Sequence, residues 1–295
     1  MRKPYALRSR LSRRTCAPPP DPCVDLFPTI SHSDLGVFAL GLVIAGAVSG
    51  LAAGVLGIGG GIVIVPVLYH VMAALGIDSG VRMHVAIATS LAAMIPATLA
   101  HVQNARGHIE WRLARKDLPA LLIGVAVGAA ATAMASGVSL ALLFAIVAFP
   151  VVVGLALGKR VFAIETGRRI VVLMTLSAIA STFTGIATAT INRCFIGSSD
   201  TEGDRYRTRL RVSALIVAIA AAASFAVAGW GKPGLPPESF GYVNLLGFAL
   251  IAPVLLATEP AGAALAHMMD LRRLRLVFAG LIVIATARML WDAFT

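Results

Sequence analysis

Charge is what this chain has least of. Only 13% of its 295 residues are Asp, Glu, Lys or Arg, against about 25% in a soluble domain. None occurs from Leu35 to Ile77, and none in Met83–Ala105, Leu118–Gly158, Ile170–Asn192, Val212–Gly231 or Ser239–Thr258. Leu276–Thr295 holds only Arg288 and Asp292. These gaps leave no room for a soluble catalytic domain. Cysteine is scarce too. Cys16, Cys23 and Cys194 form neither a metal pattern nor a disulfide framework. No Ser/His pair, Asp pair or zinc motif lies within the apolar runs, which argues against an intramembrane enzyme. The runs also lack acidic residues, which argues against a cation as cargo.

What fills the chain is hydrocarbon. Hydrophobic residues make up 58% of it, and the mean hydropathy is +0.86. A helix needs about 20 apolar residues to cross a bilayer. The runs at 35–77 and 118–158 are each long enough for two, the second with a turn at Ser136-Gly137. The expectation is an all-α polytopic integral membrane protein of about eight to ten transmembrane or re-entrant helices. Residues 1–34 form a basic, Pro-rich tail that reads as disordered and lacks the layout of a signal peptide. The net charge of +11 does not indicate nucleic acid, because the basic residues sit between apolar spans, as the positive-inside rule produces.

The chain divides into halves, 35–158 and 159–295, with a weak repeat. Ser49–Ile58 matches Ser177–Ile186, and Ser90 with its sequel matches Ser213 with its own. Sixteen Lys and Arg residues fall in segments 104–116, 158–169, 192–211 and 259–275, while 76–83 and 231–241 hold only Arg82 and Lys232. Placing the sixteen inside puts corresponding loops of the halves on opposite faces, which is an inverted repeat. It also requires residues 170–211 to double back. If 35–75 does the same, the basic tail lies outside; the sequence leaves that side open.

One segment carries the functional signal. Residues 54–66 read Gly-Val-Leu-Gly-Ile-Gly-Gly-Gly-Ile-Val-Ile-Val-Pro. Gly57, Gly59, Gly60 and Gly61 make a poor helix interior, at about 1 kcal/mol each relative to alanine. A break at membrane depth is tolerated where protein or a water-filled cavity covers the backbone. Half-helix N-termini at such breaks aim N–H groups at anions. Close helix packing is the competing reading. Thr89 and Ser90 could add neutral hydroxyl donors, with Ser213 as the repeat partner, or simply bond back to their own helix. Among the histidines, His101 lies deeper than His108, and it and His84 are weighed as proton-coupling groups or interfacial residues; His101 is the candidate. Arg193 could hold an oxyanion bidentately, whereas Arg288 is close enough to the end of the chain to snorkel.

The stretch Gly50–Pro66, then Ala86-Ile-Ala-Thr-Ser90, His101 with Gly107-His-Ile-Glu-Trp111, and Leu274–Leu281 through Ala287-Arg-Met-Leu290 resembles the sulfite exporter TauE/SafE family of membrane permeases. The resemblance implies a multi-pass inner-membrane permease for sulfite, sulfoacetate or a related small inorganic or organosulfur anion, with no cofactor. It implies a substrate site at Gly57, Gly59, Gly60, Gly61 and Pro66, with Thr89, Ser90, Ser213 and Arg193 nearby. The family repeats its glycine motif in the second half. Here that stretch is Thr184-Gly-Ile-Ala-Thr-Ala-Thr-Ile-Asn-Arg-Cys-Phe195, with Ala187, Thr188 and Ala189 at glycine positions. Thr184, Thr188, Thr190 and Asn192 either replace backbone donors with side-chain donors or mark a dead half-site. The alternatives are a sensor or assembly protein on a decayed permease scaffold, or a permease for another small anion.

Overall fold

Lipid offers no hydrogen bonds, so a crossing segment must bond its own backbone, and a helix does so locally. The computed structural model describes residues 32–56, 59–105, 109, 111–157, 169–195, 203–236 and 238–294. Among them are α1 (His32–Leu56), α2 (Gly61–Ala74), α3 (Ser79–Ala93), α4 (Ile95–Asn104), α5 (Trp111–Met134), α6 (Gly137–Leu157), α7 (Arg169–Thr184), α8 (Thr188–Phe195), α9 (Gly203–Ala228), α10 (Leu245–Met268) and α11 (Leu271–Phe294). A two-residue antiparallel ribbon, β1 (Ser239–Phe240) and β2 (Val243–Asn244), precedes α10. Helices α3 and α4 form one 26-residue span, jointed at Met94 ahead of Pro96. Six helices are long and apolar enough to cross a membrane. The protein is an all-α, multi-pass membrane protein.

The outward faces of α5, α6, α7 and α11 carry exposed Leu122, Ile123, Phe149, Val172, Val283 and Ile284, as a surface solvated by lipid tails requires. The α3–α4 span lies inside, with Met83–Ala93 buried throughout. Glycine sets the closest packing. On α1, Gly46 faces Ile251, Gly50 faces Leu255 and Thr258, and Gly54 faces Glu259 and Ala263 of α10. On α5, Gly124 faces Thr175 and Ala178, and Gly128 faces Ile179 and Thr182 of α7. In both seams the numbers rise together, so each pair runs parallel.

Both short helices then double back. Gly60 lies against Ser49, well up α1 from its end at Leu56, and Leu68 of α2 reaches Gly247 near the start of α10. Asn192 of α8 donates from Nδ2 to Met174 Sδ at 3.3 Å, well back along α7. So α1–α2 and α7–α8 are helical hairpins. The sequence left the path of 35–75 open; α2 returns toward the end from which α1 enters. Packing exchanges between the halves: α1 meets α10 as α7 meets α5, α2 meets α11 as α8 meets α6, and α6 meets α11.

The connections sort to two ends. The 74–79, 134–137 and 228–245 connections lie at one, where Gly137 touches Ser79 and His70 pairs with Asp292 at 3.2 Å. This lean end holds Arg82 and Lys232. The other end gathers Arg112, Arg115, Lys116, Arg193, Arg207, Arg209, Arg211, Arg272, Arg273 and Arg275, at the starts of α5, α9 and α11 and the end of α8. Several of these are helical, although the charge-free windows assign them to loops: α5 begins at Trp111 and α9 at Gly203. One pair is deep. Arg209 on α9 grips Asp117 on α5 through two hydrogen bonds, Nε to Oδ2 at 2.5 Å and Nη2 to Oδ1 at 2.6 Å, with Asp117 buried.

Candidate functional site

The two hairpins meet tip to tip. In the first, the chain emerges at Gly59 and Gly60 and enters α2 at Gly61; Gly57 lies outside the described residues. In the second, Gly185, Ile186 and Ala187 separate α7 from α8. Gly185 has φ of +68°, a left-handed conformation that favours glycine. The tips leave no room for side chains. A methyl on Gly59 would sit 2.5 Å from Ala187 Cβ, and one on Gly61 would run into the Gly185 carbonyl oxygen. A methyl on Gly185 would lie 2.9 Å from Val65 Cγ2 and 3.3 Å from Ile87 Cα.

Hydroxyls tie the crossing together. The Gly59 N–H donates to Thr190 Oγ1 at 3.1 Å, and Ser90 Oγ donates to the Gly185 carbonyl at 3.2 Å. Within the second tip, Ser181 donates to the Ile186 carbonyl at 2.7 Å. Thr184 donates to Ala180 and accepts from the Ile186 N–H. Each bond satisfies a backbone group that the break exposes, where a buried orphan would cost about 1–3 kcal/mol.

A cavity of about 320 Å³ opens from this crossing toward the basic end. Its deep wall is Ala53, Gly59, Gly60, Met94 and Ala187. Nearer the basic end it is lined by Asn104, Arg193, Arg211 and Ala263, with Thr98, His101 and Glu259 among the flanking side chains. His101 Nε2 on α4 is 2.9 Å from Glu259 Oε1 on α10. No side chain caps α2 at Gly60, so its first turn meets the cavity as bare backbone.

The residues singled out from sequence divide accordingly. Gly59, Gly60, His101 and Arg193 line the cavity. Gly61 and Pro66 are buried in α2 behind it. Thr89 and Ser90 are fully buried and off the wall. Thr89 Oγ1 accepts the Asn244 N–H at 3.0 Å, so neither hydroxyl bonds back to its own helix. Ser213 does, donating to Leu210 at 2.9 Å. Thr188 is buried, off the wall, and without a partner for Oγ1 among the described residues. His84 lies at the lean end, bonded through Nε2 to the Thr132 carbonyl at 3.1 Å and stacked on Tyr242. His108 lies outside the described residues; Arg288 is exposed on α11.

Sequence reasoning missed Glu259 and Arg211. The charge-free run stops at Thr258 and assigns Glu259 to a loop, but α10 continues to Met268. The signal was available: Glu259-Pro-Ala-Gly-Ala-Ala-Leu-Ala prolongs the apolar run around a single acid. Acidic side chains therefore do lie within the helices, at Glu259 and Asp117, and the argument against cation cargo from their lack no longer holds. Among the described residues, no three His, Cys, Asp or Glu cluster as a metal ion needs.

Comparison with known proteins places this arrangement. No solved structure matches the chain. A probable membrane transporter protein of Haemophilus influenzae is 26% identical over 265 residues, covering 85% of this chain and 98% of that one. Residues 42–289 match the sulfite exporter TauE/SafE family, a stretch that takes in both hairpins, the cavity and the seams between them. The chain belongs to the sulfite exporter TauE/SafE family of membrane transporters.

Proposed function

We propose that this protein is a permease, not an enzyme, that carries small sulfur-containing anions such as sulfite, sulfoacetate or a related organosulfonate across the cell's inner membrane. The observation that carries this reading is the cavity at the crossing of two helix breaks. Its size suits the cargo. About 320 Å³ is at the low end for ligand pockets and holds roughly ten waters by volume, so a small anion with part of its hydration fits. Bare backbone at Gly59–Gly60 and the guanidinium groups of Arg193 and Arg211 supply donors of the right sign.

Sidedness follows from charge. The positive-inside rule assigns the basic end to the cytoplasm, so the cavity faces inward. The opposite end is sealed by the Thr89–Asn244 bond and the His84–Tyr242 stack. Alternating access then requires an outward-facing state in which that seal opens, with the two halves, 35–158 and 159–295, related as inverted repeats. Coupling to protons or to the membrane potential drives the cycle. The intact second hairpin supports a working carrier over a decayed scaffold.

Proteoliposome uptake of labelled sulfite, thiosulfate, sulfoacetate and sulfate tests this. At least one is carried, and Gly60→Leu lowers its flux about tenfold or more while the protein still inserts. Ala189→Leu, which fills the cavity from α8 without touching the break, lowers it too. Normal flux in both variants overturns the proposed site.

A further inference from the structure

We propose that His101 and Glu259 form a proton-operated charge switch in the cavity, so that the anion enters with a proton on this pair. The inference rests on the permease reading and names its coupling site. Both side chains line the cavity, Glu259 nearly buried and His101 more open, with Nε2 and Oε1 2.9 Å apart. The other titratable groups on the cavity wall are Arg193 from α8 and Arg211 from α9; α1 contributes Ala53 and Gly54, and the tip before α2 contributes Gly59 and Gly60. An ionised carboxylate facing an anion site opposes its occupant, and the opposition grows as water is excluded.

The chain holds another buried acid, and the contrast is informative. Asp117 is neutralised by Arg209 through a bidentate grip, and guanidinium does not give up its proton. That pair is fixed. Glu259 is instead partnered by imidazole, whose charge changes within the physiological pH range. With His101 neutral, its Nε2–H bonds the carboxylate and the pair carries one negative charge. With a proton on Nδ1 as well, the pair is neutral and the anion is no longer opposed. The proton arrives from water at the basic end, rides on the imidazole while the anion is bound, and leaves to water on the far side with it. Acid therefore favours binding, and each anion carried brings one proton.

The experiment is initial-rate uptake of labelled sulfoacetate into proteoliposomes, with the same pH on both sides, from about pH 6 to about pH 8. Sulfoacetate stays fully ionised over that range, so any titration belongs to the protein. The wild-type rate rises about tenfold from the alkaline to the acid limit, and a pH gradient accumulates the anion. In Glu259→Gln the ratio falls below about twofold and the gradient no longer accumulates it. His101→Gln keeps a donor toward the carboxylate but takes no proton; its ratio is also flat. Melting in detergent verifies that each variant is folded. A flat wild-type profile, or the wild-type ratio persisting in both variants, overturns the switch and leaves the permease standing. A wild-type protein that carries none of sulfoacetate, sulfite or thiosulfate overturns the permease reading and the switch together.

Discussion

The first hairpin turns on a cluster of glycines, the second on Gly185 alone. In α1–α2, Gly59, Gly60 and Gly61 clear space by having no side chains. In α7–α8 the corresponding stretch keeps one glycine, where φ is positive, and surrounds it with hydroxyls: Ser181, Thr184 and Thr190 each bond backbone at a tip. The difference teaches that a helix break has two separable needs. One is clearance, which only missing side chains supply. The other is satisfaction of freed N–H and C=O groups, which hydroxyls supply as well as backbone does. The second hairpin donates partners and the first donates space. The pair fits because they are unlike.

Substitution can break that complementarity in stages. The largest effect is expected from filling the crossing. Gly185→Ala must hold alanine at φ of +68° against Val65 and Ile87, and Gly61→Ala must displace the Gly185 carbonyl. Each should destabilise by about 2–4 kcal/mol, seen as a lower melting temperature in detergent and lost flux. Thr190→Val is next: it strands the Gly59 N–H and should cost about 1–3 kcal/mol. Thr188→Val sharpens the comparison from the other side. Its hydroxyl is buried without a partner among the described residues, so removing it should be neutral or stabilising by under about 1 kcal/mol. Equal losses in Thr188→Val and Thr190→Val would show that the second tip does not act through the Gly59 bond.

The sequence made the first break legible because glycine has so few other uses inside an apolar run. The second was read as degenerate because the search was for glycine, while the structure needed one glycine and a set of acceptors that look like ordinary membrane Ser and Thr. Thr89 and Ser90 were picked out correctly as polar groups at depth. Their partners, the Asn244 N–H and the Gly185 carbonyl, lie far along the chain and cannot be read from local spacing. Span ends were blurred for a different reason. Helices α5, α9 and α10 continue into charged sequence, because a helix does not stop at the first charge when that charge finds a partner, as Asp117 does in Arg209 and Glu259 in His101.

The near contact of Gly61 with the Gly185 carbonyl has a mechanical consequence. Two tips interlocked at backbone distance cannot retract one at a time; withdrawing either would uncover the polar atoms of both. The hairpins therefore travel as one block, and the moving partition of the carrier runs between that block and the helices enclosing it. The midpoint of the sequence marks where the chain was doubled, and the joint about which it works lies elsewhere.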